Sequence, residues 1–407
     1  MNWVYFLQRK MTELCTPWPY LLTGLPTKGI MNMQNLDTIG EIHMNAATYR
    51  IKNTDALHTP ALIYYESIID ENIRLAIEMA GGPDRLWPHI KSHKMKEPIL
   101  MQMRYGISRF KCATIAEARM LAELCAPHIL LAYPLVGPNI GAYLQLMREF
   151  PESAFYAVGD DCGQFTLLSE QAQSLGMTIN VLLDINMGMD RTGISPGRAQ
   201  AVYQRCAAMP GLSMCGMHGY DGHANDPDPT KRAEMSGAAT QAIFALRETL
   251  LGNGCPCEML VLGGTPSFPI HARRQGVYLS PGTIFLLDAR YMLDLTDLPM
   301  KPAAMLAARV ISHPADGLFT LDLGSKAIST DMGERGLLLS VPDAVPVRQS
   351  EEHWVFRMPE GRPRPAIGEV VYALPMHICT TTMLYPAALV AQDGEIVGRW
   401  VLGARDR

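Results

Sequence analysis

Residues 86–94 are Leu86-Trp87-Pro88-His89-Ile90-Lys91-Ser92-His93-Lys94. A short apolar run ends here at Lys91, and a helix-like segment follows at 95–105. A lysine at the end of a buried strand loses solvation, which lowers its pKa and lets its free amine form a Schiff base. The alternative is a solvated basic turn at a strand end. Lys91 is therefore a candidate catalytic residue if the rest of the chain builds a site around it.

Strand-like and helix-like segments alternate on both sides of this stretch. Strands are predicted at 61–65, 86–91, 109–114, 128–134, 154–159, 178–186, 212–220 and 258–263. Their continuous apolar runs are typical of parallel strands that are buried on both faces. Such strand-then-helix units predict a closed (β/α)8 TIM-type barrel, whose usual length is about 250 residues. An open doubly wound sheet is the alternative, but no Gly-x-Gly-x-x-Gly follows the first predicted strand.

From Lys301 onward the pattern changes to short strands separated by Gly, Pro and Asp, which predicts a C-terminal antiparallel β-domain. Its strands are predicted at 305–311, 318–323, 337–341, 354–357, 369–374 and 389–391. The chain thus divides into an N-terminal extension (1–44), a barrel (45–298) and a β-domain (299–407). The extension lacks sustained periodicity. It is interpreted as an interaction arm, or as a start assigned too early, with translation from Met33 or Met44.

Composition narrows the class of protein. The chain has 407 residues, of which 48% are hydrophobic, enough for two domains with full cores. The net charge is −5 and no basic block is present, so we expect no nucleic-acid partner. No apolar run reaches the roughly 18 residues of a membrane helix, so no membrane partner is expected. The nine cysteines have no paired spacing, which favours a reduced, cytoplasmic compartment.

A glycine pair follows the last predicted barrel strand. Active groups of barrels lie at the carboxyl ends of the strands, and the loops after the last strands commonly bind a phosphate. Gly263 and Gly264 would let backbone N–H groups approach an anion, and Thr265 adds a hydroxyl. The alternative is a plain tight turn. The position after a barrel strand favours a phosphate site.

Three more side chains lie at the same predicted rim. Arg191, in a glycine-rich turn, suits a cofactor oxygen, although pairing with Asp184 or Asp190 is equally compatible with the sequence. Tyr220 ends a strand and suits contact with a ring, or a place in the core. His223 follows in a loop as a candidate general base or metal neighbour, or as polar surface.

The segment Pro375-Met376-His377-Ile378-Cys379 carries a second signal. Residues two apart on a strand point to the same face, so His377 and Cys379 would present an imidazole and a thiolate side by side. These are zinc ligands, and two protein ligands leave positions for water or substrate. The alternative is a chance His-x-Cys in a core strand.

Taken together, these motifs resemble the D-threonine aldolase and D-serine dehydratase family, pyridoxal-phosphate enzymes of the alanine-racemase-like fold. The resemblance runs from Thr59 to the C-terminus. Its marks are Pro88-His89-Ile90-Lys91-Ser92-His93-Lys94, Phe110-Lys111-Cys112-Ala113-Thr114, Asp190-Arg191-Thr192-Gly193, Tyr220-Asp221-Gly222-His223, Gly263-Gly264-Thr265-Pro266, Ser280-Pro281-Gly282-Thr283, Ser350-Glu351-Glu352-His353 and His377-Ile378-Cys379. Together they are specific, although no single one is.

The resemblance implies a homodimer that binds pyridoxal 5'-phosphate and a small β-hydroxy D-amino acid. Lys91 would carry the Schiff base, Arg191 would contact the phenolic oxygen and Tyr220 would lie near the ring. Residues 263–265 would hold the phosphate.

The resemblance also implies that His377 and Cys379 bind a divalent metal, zinc or manganese, next to the substrate hydroxyl. The chain departs from the family in three places. Trp87 stands where arginine is usual, and Cys379 is dehydratase-like. Asn225 and Asp226 occupy the region of a second histidine. These departures bear on the reaction type more than on the cofactor.

Retro-aldol cleavage of D-threonine-like substrates to glycine and an aldehyde is the expected reaction, with His223 or a metal-bound water as the base. Dehydration of D-serine or another 3-hydroxy amino acid to a keto acid and ammonia is the alternative, with Lys91 removing the α-proton. Two further alternatives are an amino-acid racemase, for which Tyr372 or Tyr385 would supply a second base, and a non-catalytic pyridoxal-phosphate-binding protein.

Overall fold

The computed structural model describes residues 46–406. The α-helices are α1 Glu66–Ala80, α2 Lys96–Arg104, α3 Ile115–Glu123, α4 Pro138–Glu149, α5 Cys162–Ser174, α6 Pro196–Ala207, α7 Pro229–Gly252, α8 Phe268–Ala272, α9 Ala289–Asp294 and α10 Ile378–Thr382. The β-strands are β1 Ala61–Tyr65, β2 Arg109–Cys112, β3 His128–Leu131, β4 Ala154–Gly159, β5 Ile179–Asn186, β6 Leu212–Tyr220, β7 Met259–Leu262, β8 Tyr278–Leu279, β9 Ala304–Ser312, β10 Leu318–Leu321, β11 Gly336–Leu338, β12 Val345–Gln349, β13 Trp354–Arg357, β14 Val370–Pro375, β15 Ala387–Gln392 and β16 Glu395–Val401.

Strands β2 to β8 form a parallel sheet in chain order, and the segment 86–89 closes it into a barrel. Leu86 bridges Leu279 of β8, and His89 bridges Lys111 of β2, both in parallel. The N–H of Trp87 also donates to the carbonyl of Leu279 at 2.7 Å. The segment is therefore the first of the barrel strands, and the predicted (β/α)8 barrel is confirmed.

The membership of the barrel differs from the prediction at two strands. Strand β1 (Ala61–Tyr65), predicted as the first barrel strand, pairs with β9 and β15 of the second sheet instead. All five of its residues are buried, so it has the same apolar pattern as a barrel strand. Strand β8 has only two residues and was not predicted. An apolar run indicates burial on both faces but not which sheet supplies the neighbours.

The second sheet has nine strands and is mostly antiparallel. Its main path runs β12-β13-β10-β9-β1-β15-β16, and β14 joins β11 to β9. Strands β12 and β16, which were not predicted, are its edges and expose most of their residues. An edge strand in solvent carries neither an apolar run nor a clean alternation, so its sequence does not indicate a strand.

Trp87 fills the barrel interior close to the strand end that bears Lys91. It is fully buried and packs with Leu130, Tyr156 and Val261. Its indole N–H donates to the carbonyl of Phe110 at 2.8 Å, so burial leaves no unsatisfied donor. Burying such a side chain stabilises the fold by about 3 kcal/mol or more, which anchors the start of the barrel.

Within residues 46–406, no helix is both long and apolar enough to cross a membrane. The eight cysteines in that part of the chain are all free thiols. The predictions for the extension, 1–44, lie outside the described residues.

Candidate active site

A cavity of about 480 Å³ lies at the carboxyl ends of the barrel strands. Five of the residues predicted for the site line it: Lys91, Arg191, Tyr220, Gly264 and Thr265. None of the described residues in its wall is an aspartate or a glutamate, whereas two lysines and an arginine are present. The cavity is therefore suited to an anionic occupant.

Lys91 follows the first barrel strand directly. The strand ends at residue 89, two residues earlier than predicted, and Lys91 lies in a 3-10 turn, Ile90–Ser92. Its backbone N–H donates to Nδ1 of His89 at 3.2 Å, which holds the turn. The turn aims the amine across the cavity toward Tyr220, with Nζ 5.6 Å from the ring centre.

Tyr220 ends strand β6 and has three basic side chains close to its ring. Besides Lys91, the guanidinium carbon of Arg191 lies 4.5 Å from the ring centre, and Nζ of Lys111 lies 5.9 Å from it. The negative face of an aromatic ring attracts cations at such distances. Tyr220 therefore lines the cavity and does not lie in the core, which decides between its two interpretations.

Arg191 does not pair with either carboxylate suggested as its partner. One oxygen of Asp184 is 2.7 Å from Nδ1 of His218, and the other accepts from the hydroxyl of Thr192 at 2.9 Å. Asp190 is bound by the side chain of Asn186 at 2.8 Å. The guanidinium therefore stacks on the tyrosine and keeps its donors available to an occupant of the cavity.

The two glycines of the Gly-Gly-Thr loop have different roles. A Cβ at Gly264 would lie 2.7 Å from Cε2 of Tyr220, so only glycine lets the ring reach its place. Gly263 does not line the cavity. It has a positive φ of 83°, and a Cβ there would lie 2.8 Å from the ring of His271.

A buried network supports this loop from behind. Ser267 donates its hydroxyl to Asp221 at 2.5 Å and accepts the N–H of Gly264 at 3.1 Å. The second oxygen of Asp221 binds Nε2 of His271 at 2.8 Å. Burial raises the pKa of Asp221, but the bonds from His271 and Ser267 outweigh it, so the pKa is lowered overall. The carboxylate thus acts as a permanent acceptor beneath the loop.

Hydroxyl groups and backbone amides converge next to this loop. Thr265 accepts the N–H groups of Gly282 and Thr283 at 3.3 Å and 3.0 Å. The hydroxyl of Ser280 is buried and has no hydrogen-bond partner among the described residues. An unpaired buried hydroxyl costs free energy unless a ligand satisfies it. Because Thr265 accepts both amides, its own proton is left to donate, and the two hydroxyls of Thr265 and Ser280 fit a phosphate or another oxyanion.

His223 is not among the residues that line the cavity. Its ring lies close to Gly188, since a Cβ added to that glycine would be 3.2 Å from Nε2 of the histidine. The buried Nδ1 has no hydrogen-bond partner within the described chain. The histidine thus packs against the loop after β5. The structure does not bring it together with the lysines and the tyrosine.

His377 and Cys379 do not lie on a strand, so that part of the prediction is wrong. Strand β14 ends at Pro375, His377 is the N-cap residue of α10, and Cys379 lies in its first turn. Strand pairing ends at Pro375, and within the short turn that follows the hydroxyls of Thr380 and Thr381 donate to the carbonyl of His377.

The thiol nevertheless reaches the edge of the cavity. Its sulfur lies 3.1 Å from the hydroxyl of Ser92 and 3.5 Å from that of Thr283, a cavity residue. Burial raises the pKa of Cys379, but His377 and Lys91 outweigh burial and lower it overall. Nδ1 of His377 lies 2.7 Å from Asp331.

An imidazole and a thiolate are typical zinc ligands, and a carboxylate on the other ring nitrogen orients such a histidine. His377, Cys379 and Asp331 have this chemistry. Nowhere in 46–406 do three or more His, Cys, Asp or Glu side chains form a cluster able to hold a metal. His377 and Cys379 thus remain the two candidate ligands that the sequence predicted.

Sequence reasoning missed Lys111 and His218, both in the cavity wall. Each lies inside a predicted strand, where the apolar pattern was taken to describe a core. The available signal was their charge, because lysine is almost never fully buried without a function or a partner.

The racemase candidates Tyr372 and Tyr385 do not line the cavity. The hydroxyl of Tyr372 accepts the N–H of Ile51 at 2.9 Å, and that of Tyr385 donates to the carbonyl of Ala327 at 2.7 Å. Both serve the packing of this chain.

Comparison with known proteins agrees with this fold. The profile described as alanine racemase, N-terminal domain, matches residues 66–288, more than half of the chain. The chain belongs to this family. A serine dehydratase domain matches residues 303–391, within the second sheet. The resemblance to the D-threonine aldolase and D-serine dehydratase family is thereby confirmed.

The relatives include both aldolases and dehydratases. A D-threonine aldolase from Arthrobacter sp. is 27% identical over 355 residues, covering 85% of this chain and 92% of the relative. A D-threo-3-hydroxyaspartate dehydratase from Delftia sp. (strain HT23) is 23% identical over 368 residues, covering 84% and 96%. The crystal structure of a D-threonine aldolase from Filomicrobium marinum superposes with a TM-score of 0.77 at 28% identity, covering 86% of this chain and 96% of that one.

Proposed function

We propose that this protein is a pyridoxal-phosphate-dependent lyase that cleaves β-hydroxy D-amino acids resembling D-threonine into glycine and an aldehyde. The observation that carries the proposal is the placement of Lys91 and Arg191 around Tyr220, in a cavity with an oxyanion site on one wall. The similarity to D-threonine aldolases over most of the chain supports the substrate class.

The cavity fits the cofactor in size and in donor chemistry. The hydroxyls of Thr265 and Ser280 would hold the phosphate, since the Ser280 hydroxyl lacks a partner and two backbone N–H groups orient that of Thr265. Lys91 would hold the cofactor covalently, and Arg191 would donate to its phenolic oxygen. When bound, pyridoxal phosphate withdraws electrons from the substrate's α-carbon. Tyr220 supports one side of the site, because Gly264 lets it approach.

His377 and Cys379 would hold a divalent metal, zinc or manganese, with Asp331 orienting the imidazole. The thiol lies beside Thr283 and Ser92 at the cavity edge, so a metal held there would lie next to the substrate pocket. The metal would act as a Lewis acid on the substrate hydroxyl. A cytoplasmic homodimer is part of the same proposal, and sedimentation velocity tests the dimer.

Dehydration is the second candidate reaction. Cys379 is the dehydratase-like ligand, and a relative that matches 84% of this chain is a D-threo-3-hydroxyaspartate dehydratase. The positions of Tyr372 and Tyr385 outside the cavity disfavour a racemase that draws its second base from the same subunit. The His377–Cys379 pair disfavours a non-catalytic carrier, which has no need of metal ligands.

The test is a product assay on purified protein with pyridoxal phosphate and zinc or manganese. D-Threonine and D-serine are supplied separately, and glycine, acetaldehyde, keto acid and ammonia are measured. Glycine plus acetaldehyde from D-threonine supports the proposal. Ammonia plus a keto acid would show that the protein is a dehydratase. The absence of product from both D-threonine and D-serine would contradict the lyase proposal.

The Lys91→Ala variant tests the attachment point. It is expected to lose the absorbance band near ~420 nm and all turnover, because no other residue is proposed to hold the cofactor covalently. Lys96→Ala is the matched control, since this lysine lies on the exposed face of α2. Turnover retained by Lys91→Ala would reject the assignment.

A further inference from the structure

Lys111 is a second lysine of the cavity and has no role in the function proposed above. It lies on barrel strand β2, is only 3% exposed, and contributes to the cavity wall. Its Nζ lies 3.4 Å from Nε2 of His218 and 5.9 Å from the centre of the Tyr220 ring. No carboxylate binds this amine directly in the described part of the chain.

The partners of Lys111 define its orientation. Nδ1 of His218 lies 2.7 Å from a carboxylate oxygen of Asp184, so the ring proton lies on Nδ1. Nε2 is then an acceptor, and Lys111 must donate to it. Burial lowers the pKa of His218 despite Asp184, so the ring is neutral at neutral pH. The amine therefore gives one N–H to the histidine and keeps its lone pair for the cavity.

The surroundings of Lys111 favour the neutral amine. Burial lowers the pKa of Lys111 to about 7, the charges of Lys91 and Arg191 act in the same direction, and Asp184 opposes them. The titratable and charged groups that face it are His89 and Lys91 from the first barrel strand and its turn, Asp184 and Arg191 from β5 and its loop, and His218, Tyr220 and Asp221 from β6 and its end.

Retro-aldol cleavage needs a base for the β-hydroxyl proton. His223 is not in the cavity wall. Nδ1 of His89 already accepts the N–H of Lys91, and both nitrogens of His218 are occupied. Lys91 is assigned to the covalent attachment of the cofactor. This leaves Lys111 as a cavity amine that is oriented by a hydrogen bond and has a free lone pair.

We propose that Lys111 is the general base of the reaction and that His218 and Asp184 are its positioning residues. This inference rests on the proposed lyase function. The hydroxyl proton passes to Nζ of Lys111, and the O–H electron pair forms the carbonyl of the aldehyde. The electron pair of the breaking Cα–Cβ bond stays on the α-carbon, which takes up a proton to give glycine. Loss of one proton then restores the neutral amine of Lys111.

The first arm of the test does not use activity. Apoprotein is labelled with [6-13C]lysine, the Lys111 signal is assigned by its absence from Lys111→Met, and its pH titration is followed by NMR. A midpoint near 7 is expected, and Asp184→Asn is expected to lower it, because the carboxylate raises this pKa. An ordinary midpoint near 10.5 would overturn the proposal.

The second arm uses the holoenzyme with D-threonine. Lys111→Ala is expected to retain the band near ~420 nm and to lose about 10²–10⁴-fold in kcat, with the acidic limb of the pH profile removed. Ethylamine in its neutral form is expected to restore part of kcat, which a purely structural lysine would not allow. Lys96→Ala is again the control, because its side chain is exposed.

The outcomes separate the two proposals. Wild-type cleavage together with unchanged kcat in Lys111→Ala overturns the role of Lys111 alone. Loss of activity without amine rescue, in a variant that still binds the cofactor, also overturns the base and leaves the lyase standing. A wild type that binds the cofactor but cleaves neither substrate overturns the lyase and this role with it.

Discussion

The guanidinium carbon of Arg191 lies 4.5 Å from the centre of the Tyr220 ring. The arginine makes no ion pair with a carboxylate in residues 46–406, because the two nearby aspartates bind other side chains. Stacking orients the guanidinium, and its N–H groups stay available. The site thus holds a positive charge in place without neutralising it.

Replacing Arg191 by lysine is expected to weaken the binding of pyridoxal phosphate about tenfold, because lysine lacks the planar stack and the forked donors. Absorbance titration of the apoprotein measures this. Tyr220→Phe should bind nearly as wild type, since the ring alone makes the stack, whereas Tyr220→Ala should match the arginine variant. The control is Arg198→Ala on the exposed face of α6. Equal affinities for wild type and Arg191→Lys would contradict the role.

Asp221→Asn is expected to loosen the Gly-Gly-Thr loop. The carboxylate accepts from both Ser267 and His271, whereas an amide turns an N–H group toward one of these donors. We expect a loss of about 1–3 kcal/mol in the free energy of unfolding and weaker cofactor binding. Urea denaturation and absorbance titration measure the two effects.

Asp316→Asn is the control for this variant, because Asp316 is exposed in the turn between β9 and β10. Lower stability with unchanged cofactor affinity would show that the network serves the fold only. Lower affinity with unchanged stability would assign it to the loop alone.

The stability of the apoprotein should depend on pH through Lys111. Its pKa is about 7 in the folded protein and 10.5 ordinarily, so the unfolded chain binds more protons between these values. The unfolding free energy of wild type should therefore rise with pH in this window, relative to Lys111→Met, by at most about 1.4 kcal/mol per pH unit.

At pH 7 the methionine variant is expected to be the more stable by at least about 1 kcal/mol, because it removes a buried amine. Urea denaturation at pH 7, 8.5 and 10 measures both effects. A difference between the two proteins that is the same at all three pH values would refute this prediction.

The metal site should depend on Cys379 and, less strongly, on Asp331. Cys379→Ala is expected to lose most of the bound zinc, whereas Asp331→Asn should weaken binding about 10–100-fold, because it only orients His377. Metal analysis after dialysis against graded zinc measures both. Cys255→Ala is the control thiol, and zinc retained at full stoichiometry by Cys379→Ala would reject the assignment.

The barrel was predictable because its strands are buried on both faces, which leaves continuous apolar runs in the sequence. The same physics misassigned β1, whose five buried residues lie between β9 and β15. The edge strands β12 and β16 were not predicted, because their residues are mostly exposed to solvent and form no apolar run. Apolar runs in the sequence indicate which strands are buried, but they do not indicate which strands lie next to each other.

Some residues of the candidate site could likewise be predicted from local sequence, whereas others are brought together only by the fold. The sequence by itself determined the residues that follow strand ends, Lys91, Tyr220 and the Gly-Gly-Thr loop, because local order places them at the rim. Only the tertiary structure brought Lys111 to His218, 107 residues away in the chain, and His218 to Asp184, 34 residues away. Inward-facing side chains of different strands meet only when the barrel closes, so their contacts depend on register and closure rather than on any local pattern.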